Sequence, residues 1–183
     1  RMLAYSSISH AGYILIGLQA ATAQGIAGSL FYLLAYTFMV LGSFAIVTVV
    51  GRQGDADHAL DSYKGLSSRR PALALAFTLF LMAPAGVPFT SGFMAKLYVI
   101  KAAVESRSYA LALVGMLAAV VAAFVYLRVI VLMYMAPAAD DAPRLPIPLA
   151  IGAAVMVAAG FTLVVGLLPS RVIDFARQAT LLL

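Results

Sequence analysis

The sequence predicts an all-α fold, a polytopic transmembrane helix bundle, and three observations carry that prediction. Hydrophobic residues make up 64% of the 183 and charged residues 10%, against about 25% charged in soluble domains, and the mean hydropathy is +1.03. The apolar residues fall in long runs separated by short polar connections, the pattern of successive bilayer crossings. The third observation is the stretch 82–101, where Pro84, Gly86 and Pro88, and then Lys96, interrupt an apolar segment running from about Ala72 to Val104. Proline deletes a backbone donor, and a charge at the bilayer centre costs about 2.5–3.5 kcal/mol on insertion scales. Broken helices persist where the loosened backbone is buried in protein or lines a wet cavity, so this stretch predicts a site on an ion pathway. Five spans are expected, near 2–19, 26–50, 72–104, 109–135 and 149–168, the third being discontinuous.

Several function classes drop out on composition. Without cysteine the chain forms no disulfide and holds neither a Cys-ligated zinc nor an iron–sulfur cluster, and His10 and His58 are too far apart for a short metal motif. No cofactor is expected in this chain. The net charge of +5 sits mostly in short connections between apolar runs, where orientation signals belong, so a lipid bilayer rather than nucleic acid is the expected partner. The first residue is Arg1 and the apolar pattern is under way by Met2; the chain therefore reads as the C-terminal part of something longer.

The first span, Met2–Gln19, is short for the roughly 20 residues a bilayer needs. It is also polar. Ser6, Ser9 or His10, and Tyr13 share a helical face that should point into a bundle. His10 reads either as a proton relay, since imidazole titrates near neutral pH, or as a hydrogen-bonded residue joining two helices. Ala20–Gly25 reads as a turn. Ile26–Val50 carries no charge, and its Tyr32, Tyr36, Thr37 and Ser43 read as packing or hydrogen-bonding residues. Gly51–Pro71, with charges of both signs and three glycines, reads as an extramembrane loop; His58 with Asp55 and Asp57 makes a weak case for a metal against a solvated loop.

Glu105–Ser108 is a tight polar turn, and Tyr109–Met135 places Ala118 and Ala122 at the spacing that lets helices approach. Arg128 in that span either snorkels or finds a structural partner, or takes part in charge coupling. Ala136–Pro148, with four prolines and Asp140–Asp141, is a loop. Leu149–Leu168 is the last span, and Arg171–Leu183 suits an amphipathic helix lying along the interface, Val172, Phe175, Ala176 and Ala179 on its apolar side. An odd number of spans puts Arg1, Arg52, Lys64, Arg69, Arg70 and Arg144 on one side, against Lys101, Arg107, Arg171 and Arg177 on the other. The richer side is assigned to the cytoplasm.

Lys96 is the residue the rest is arranged around. It lies eight residues from Val104, about 12 Å of helix, farther than a lysine stem covers. Removing an amine from water weakens the advantage of its charged form, the condition under which it both gains and loses protons near neutral pH. The competing reading is a lysine neutralised for structural reasons by an acidic group on another helix.

Four segments in order carry a resemblance: Leu3-Ala4-Tyr5-Ser6-Ser7-Ile8-Ser9-His10-Ala11-Gly12-Tyr13; Asp61-Ser62-Tyr63-Lys64-Gly65-Leu66 followed by Pro71; Ala85-Gly86-Val87-Pro88 through Gly92-Phe93 to Lys96-Leu97-Tyr98; and Tyr126-Leu127-Arg128-Val129. Together they resemble the antiporter-like subunit N of respiratory complex I, the proton-pumping NADH-quinone oxidoreductase. The resemblance implies helices ten to fourteen of a fourteen-helix subunit in a bacterial cytoplasmic membrane. Its proton-handling lysine, in a discontinuous twelfth helix, falls on Lys96. From the residues themselves, Tyr13, Pro84, Gly86, Pro88, Thr90, Tyr98 and Arg128 are the candidate supporting positions and His10 the candidate second relay. The paralogous L and M subunits and multi-subunit sodium/proton antiporters typically carry histidine or lysine in the eleventh helix; Ile26–Val50 has neither, which favours N. The implied partners are other membrane subunits of complex I, antiporter-like paralogues among them, with NADH, flavin, iron–sulfur clusters and quinone in or between other subunits. The alternatives are a subunit of a cation/proton antiporter or membrane-bound hydrogenase, and a membrane scaffold without proton traffic.

Overall fold

A computed structural model describes residues 2–51, 59–137 and 146–180. Among them every regular element is helical: α1 Met2–Gln19, α2 Ala23–Gly51, a single 3-10 turn Leu60–Tyr63, α3 Leu66–Arg69, α4 Pro71–Ala85, α5 Ser91–Glu105, α6 Tyr109–Met135, α7 Leu149–Leu167 and α8 Ser170–Thr180. Three of these, α2, α6 and α7, are long and apolar enough to cross a membrane. α1 is shorter and more polar, and α4 and α5 have 15 residues each, fewer than the roughly 20 a single crossing takes.

α2 is the central post, packed against α1, α4, α5, α7 and α8. It starts at Ala23, three residues before the expected Ile26, because the Thr22 hydroxyl accepts the Gly25 N–H (3.0 Å) and caps the first turn. Gly25 is therefore helical rather than part of a turn. Its bare Cα faces Gly17 of α1, and a side chain at either position would strike the other helix. The Ser29 hydroxyl, within 2.9 Å of both the Ile14 and Gly25 carbonyls, ties the two helices at that crossing.

The segment between α2 and α4 is partly folded. Tyr63 stacks on Phe77 (centroids 5.5 Å apart) and Leu66 is fully buried. Gly65 takes the left-handed conformation (φ 60°) between the 3-10 turn and α3, and its N–H reaches the Leu132 carbonyl of α6 (3.3 Å). The sequence motif Asp61–Leu66 thus clamps the connection onto α4 and α6 rather than leaving it in solvent. Asp55, Asp57 and His58 lie outside the described residues, as do Asp140 and Asp141.

The inward face of α6 runs through Ala112, Gly115, Ala119, Ala122, Tyr126, Val129 and Met133, so Ala122 of the expected pair packs on the core, and Gly115 sits close against Ile16 and Tyr13 of α1. α8 packs against α2 through Ile173 and Ala176, while Phe175 is 71% exposed; a helix buries one narrow stripe and Phe175 falls outside it.

Candidate functional site

The break between α4 and α5 is built from local chemistry. Pro84 near the end of α4 withholds a donor, and Gly86 ends the helix at φ 97°, in the region that favours glycine, with its N–H bonded to the Met82 and Ala83 carbonyls. After Val87, Pro88 and Phe89, Thr90 restarts the chain. Its hydroxyl donates to the Val87 carbonyl (2.7 Å) and accepts the Phe93 N–H (3.4 Å) as the cap of α5. Gly92 lets the first turn of α5 sit against the Ala83 carbonyl, and Gly166 of α7 lies against Phe89 and Thr90. Pro84 and Thr90 are buried; Pro88 and Phe89 are exposed, so Pro88 shapes the break through its backbone and touches nothing at its centre.

Lys96 lies in the second turn of α5 and points back into this break, 6% exposed. Its Nζ donates to the Ala85 carbonyl (3.3 Å) and lies 4.7 Å from the centre of the Tyr13 ring, a cation–π distance. The stem passes beside Gly86, where an added Cβ would be in van der Waals contact with it, 3.4 Å from Lys96 Cδ. Among the described residues no carboxylate pairs with this amine. A carbonyl and an aromatic face satisfy only part of an ammonium's three donors.

His10, 2% exposed, is also next to Tyr13, its ring centre 6.2 Å from that of Tyr13. Both imidazole nitrogens face phenols: Nδ1 lies 2.7 Å from Tyr32 Oη of α2, and Nε2 lies 3.5 Å from Tyr126 Oη of α6. Tyr126 is in turn hydrogen-bonded to Ser6 Oγ. Tyr36 stacks on the imidazole (4.6 Å) and donates to Ser7 Oγ (2.7 Å). Tyr13 itself donates to the Gly115 carbonyl (2.5 Å) and stacks on Tyr32 (5.7 Å). Four helices thus bring one amine, one imidazole and four phenols into a single buried patch.

The remaining candidates sit elsewhere. Tyr98 packs on Gly28 and edge-on to Phe31 (5.1 Å), on the side of α5 away from the amine. Arg128 is exposed and lines a separate cleft. Tyr32, Tyr36 and Tyr126 are the residues that the sequence did not single out for chemistry. The i, i+4 pairing of Tyr32 with Tyr36 was a usable signal, whereas Tyr126 was visible only as a neighbour of Arg128. Among the described residues no three histidine, aspartate or glutamate side chains meet to hold a metal.

A family model described as NADH:quinone oxidoreductase/Mrp antiporter, TM, matches residues 1–122, the stretch that contains His10, the break and Lys96. The chain belongs to this family. It is 43% identical over 183 residues to NADH-quinone oxidoreductase subunit N of Trichlorobacter lovleyi, covering 100% of this chain and 38% of that relative, and so spans well under half the length of the curated protein it matches. The family resemblance carried by the four motifs is therefore borne out. Among solved structures, respiratory complex I from Thermus thermophilus with bound aureothin superposes with a TM-score of 0.79 at 29% identity, over 94% of this chain and 38% of that one. The Mrp complex from Dietzia sp. superposes with a TM-score of 0.86 at 22% identity, over 97% of this chain and 41% of that one, a likeness of fold. Family membership and the apolar helices make this antiporter-family chain a multi-pass protein of the bacterial inner membrane.

Proposed function

We propose that the chain is the C-terminal part of an antiporter-like subunit of a proton-translocating NADH-quinone oxidoreductase, in which Lys96 takes up and releases protons. It crosses the bilayer five times, with α4 and α5 together forming one interrupted crossing. The observation that carries this reading is the setting of Lys96: a buried amine held by a main-chain carbonyl that the helix break leaves free, with no carboxylate partner among the described residues. An amine so placed is not fixed as half of an ion pair, so both of its protonation states have a place to exist, and the polar patch around His10 lies next to the same aromatic ring. Redox groups and quinone belong to other subunits, and other membrane subunits, antiporter-like paralogues included, flank this one. The energy of quinone reduction reaches Lys96 through them.

The test is Lys96→Ala in the full-length subunit within its assembled complex, with protons moved per electron measured in reconstituted vesicles. The ratio is expected to fall while the complex still assembles; an unchanged ratio means that the chain is a scaffold. A second reading, a cation/proton antiporter subunit, is favoured by the family description, which spans both groups. Purification of the native assembly decides between them: NADH-oxidising, iron–sulfur-bearing partners support the oxidoreductase, and their absence supports the antiporter.

A further inference from the structure

The hydrogen-bonded line through His10 runs toward a mouth. Ser6 Oγ, Tyr126 Oη, His10 Nε2, His10 Nδ1 and Tyr32 Oη follow one another across α1, α6 and α2. Next to its outer end is a cleft of about 560 Å³, lined by Met2, Leu3 and Ala4 of α1, Val125 and Arg128 of α6, and Tyr63 of the 60–63 turn. Ser6 lies about one turn beyond Met2 and Leu3 on the same face of α1, and Tyr126 lies between Val125 and Val129, all four of these neighbours lining the cleft. The cleft is thus at the end of the bundle that holds the start of α1 and the connection before α4. At the inner end the Tyr32 ring stacks on Tyr13, whose other neighbour is the Lys96 amine.

We propose that Tyr126 and Tyr32 are relay residues that pass protons through His10 between the cleft lined by Arg128 and the Lys96 amine. The proposal rests on the reading of Lys96 as a proton carrier and adds to it a route and its opening. With His10 in the tautomer that carries its proton on Nδ1, Nε2 accepts from Tyr126. A proton arriving at Tyr126 Oη from the Ser6 side is matched by the phenol's own proton leaving to Nε2, and the Nδ1 proton leaves to Tyr32 Oη, whose own proton leaves to a water molecule between that hydroxyl and the amine, the water giving one of its protons to the neutral form of Lys96 Nζ. Each oxygen gains one proton as it loses one, so the net transfer leaves no phenolate or imidazolium behind, and the imidazole ends in its other tautomer. Hydroxyls and imidazole are the side chains suited to this exchange because each both donates and accepts. Among the described residues, the charged and titratable groups around His10 are Tyr13 on its own helix, Tyr32 and Tyr36 on α2, Tyr126 on α6 and Lys96 on α5.

Tyr126→Phe keeps the ring and removes the hydroxyl, and it is measured beside Lys96→Ala in the full-length subunit within its assembled complex. A wire cut anywhere along its length loses the same flow, so Tyr126→Phe is expected to lower protons per electron by the same factor as Lys96→Ala. If Lys96→Ala lowers the ratio and Tyr126→Phe leaves it at the wild-type value, the relay is wrong and the Lys96 reading stands; if Lys96→Ala changes nothing, the Lys96 reading itself fails. Difluorotyrosine at position 126 preserves shape and assembly while making the phenol more acidic. The solvent deuterium isotope effect on proton transport is expected to change, and an effect that stays at the wild-type value overturns the relay, since a purely structural hydrogen bond would not set it. Ala4→Trp fills the cleft from α1 and tests the mouth: transport is expected to drop at least twofold, and full transport rules the cleft out as the entrance.

Discussion

Two interiors lie on either side of the helix break, and they are packed on different terms. Around Phe77, Phe80 and Leu81 of α4, the side chains of α2, α6 and α7, including Ile46, Val129, Met133 and Ala158, form a core almost free of polar atoms. Around Ala83, Ala95 and Val99, the second core surrounds Tyr13, Tyr32 and Phe31 and encloses Lys96 and His10. The first interior gains its cohesion from fit. Gly42 of α2 lies flat against the Phe80 ring, closer than any side chain would permit, and helix association in lipid depends on such close packing because the surrounding tails are as apolar as the core. The second interior gives up some of that fit for hydrogen bonds, and each of its polar groups needs a partner on another helix. One region holds the helices together, and the other uses the arrangement to hold an amine and an imidazole out of water.

The contrast is broken most severely from the apolar side. Phe80→Ala leaves a void against Gly42, and the full-length protein in detergent is expected to lose about 3 kcal/mol of unfolding free energy, with Lys96-dependent transport in the surviving fraction near normal. A loss below about 1 kcal/mol would show that the apolar core collapses around the void. Gly86→Ala acts at the border. Its φ of 97° strains any side chain, so about 1–2 kcal/mol is expected from backbone strain, and transport should fall by more than this loss explains, because the displaced backbone carries the Ala85 carbonyl that holds Lys96 Nζ. Transport tracking stability alone would show that the carbonyl is not a functional contact. The smallest effect is expected at α7. Thr162 Oγ1 is fully buried and has no hydrogen-bond partner, so Thr162→Val, which keeps the shape and removes an unsatisfied hydroxyl, should be neutral or stabilising by up to about 1 kcal/mol. Destabilisation by more than that would reveal an ordered partner for the hydroxyl, such as a bound water.

Much of this was legible along single helices. The polar face of α1 was readable because Ser6, His10 and Tyr13 repeat at helical spacing, and the interruption of α4–α5 was readable because Pro84, Gly86 and Pro88 act through the backbone at their own positions. What escaped depends on how helices meet. Tyr32, Tyr36 and Tyr126 looked like ordinary amphipathic residues, since nothing in α2 or α6 alone says that their hydroxyls converge on one imidazole of α1. The contact of Gly115 with α1 escaped for the same reason: small residues permit contact on several faces, and the neighbour selects one. Phe175 was placed on the apolar side of α8 on polarity alone, which does not say which stripe another helix covers; α2 covers the one through Ile173 and Ala176.

By itself the sequence determined the helical, membrane-embedded character of the chain, the place where a helix must stop and restart, and the one lysine beyond reach of the interface. These follow from composition and from the backbone limits of proline and glycine, which act locally. Only the tertiary structure decided what that lysine faces: a carbonyl from its own broken helix, the ring of Tyr13, and next to that ring a histidine held by phenols from two other helices. The register between helices sets those meetings, and it comes from the joint packing of glycines and side chains on all of them at once, which no single segment encodes.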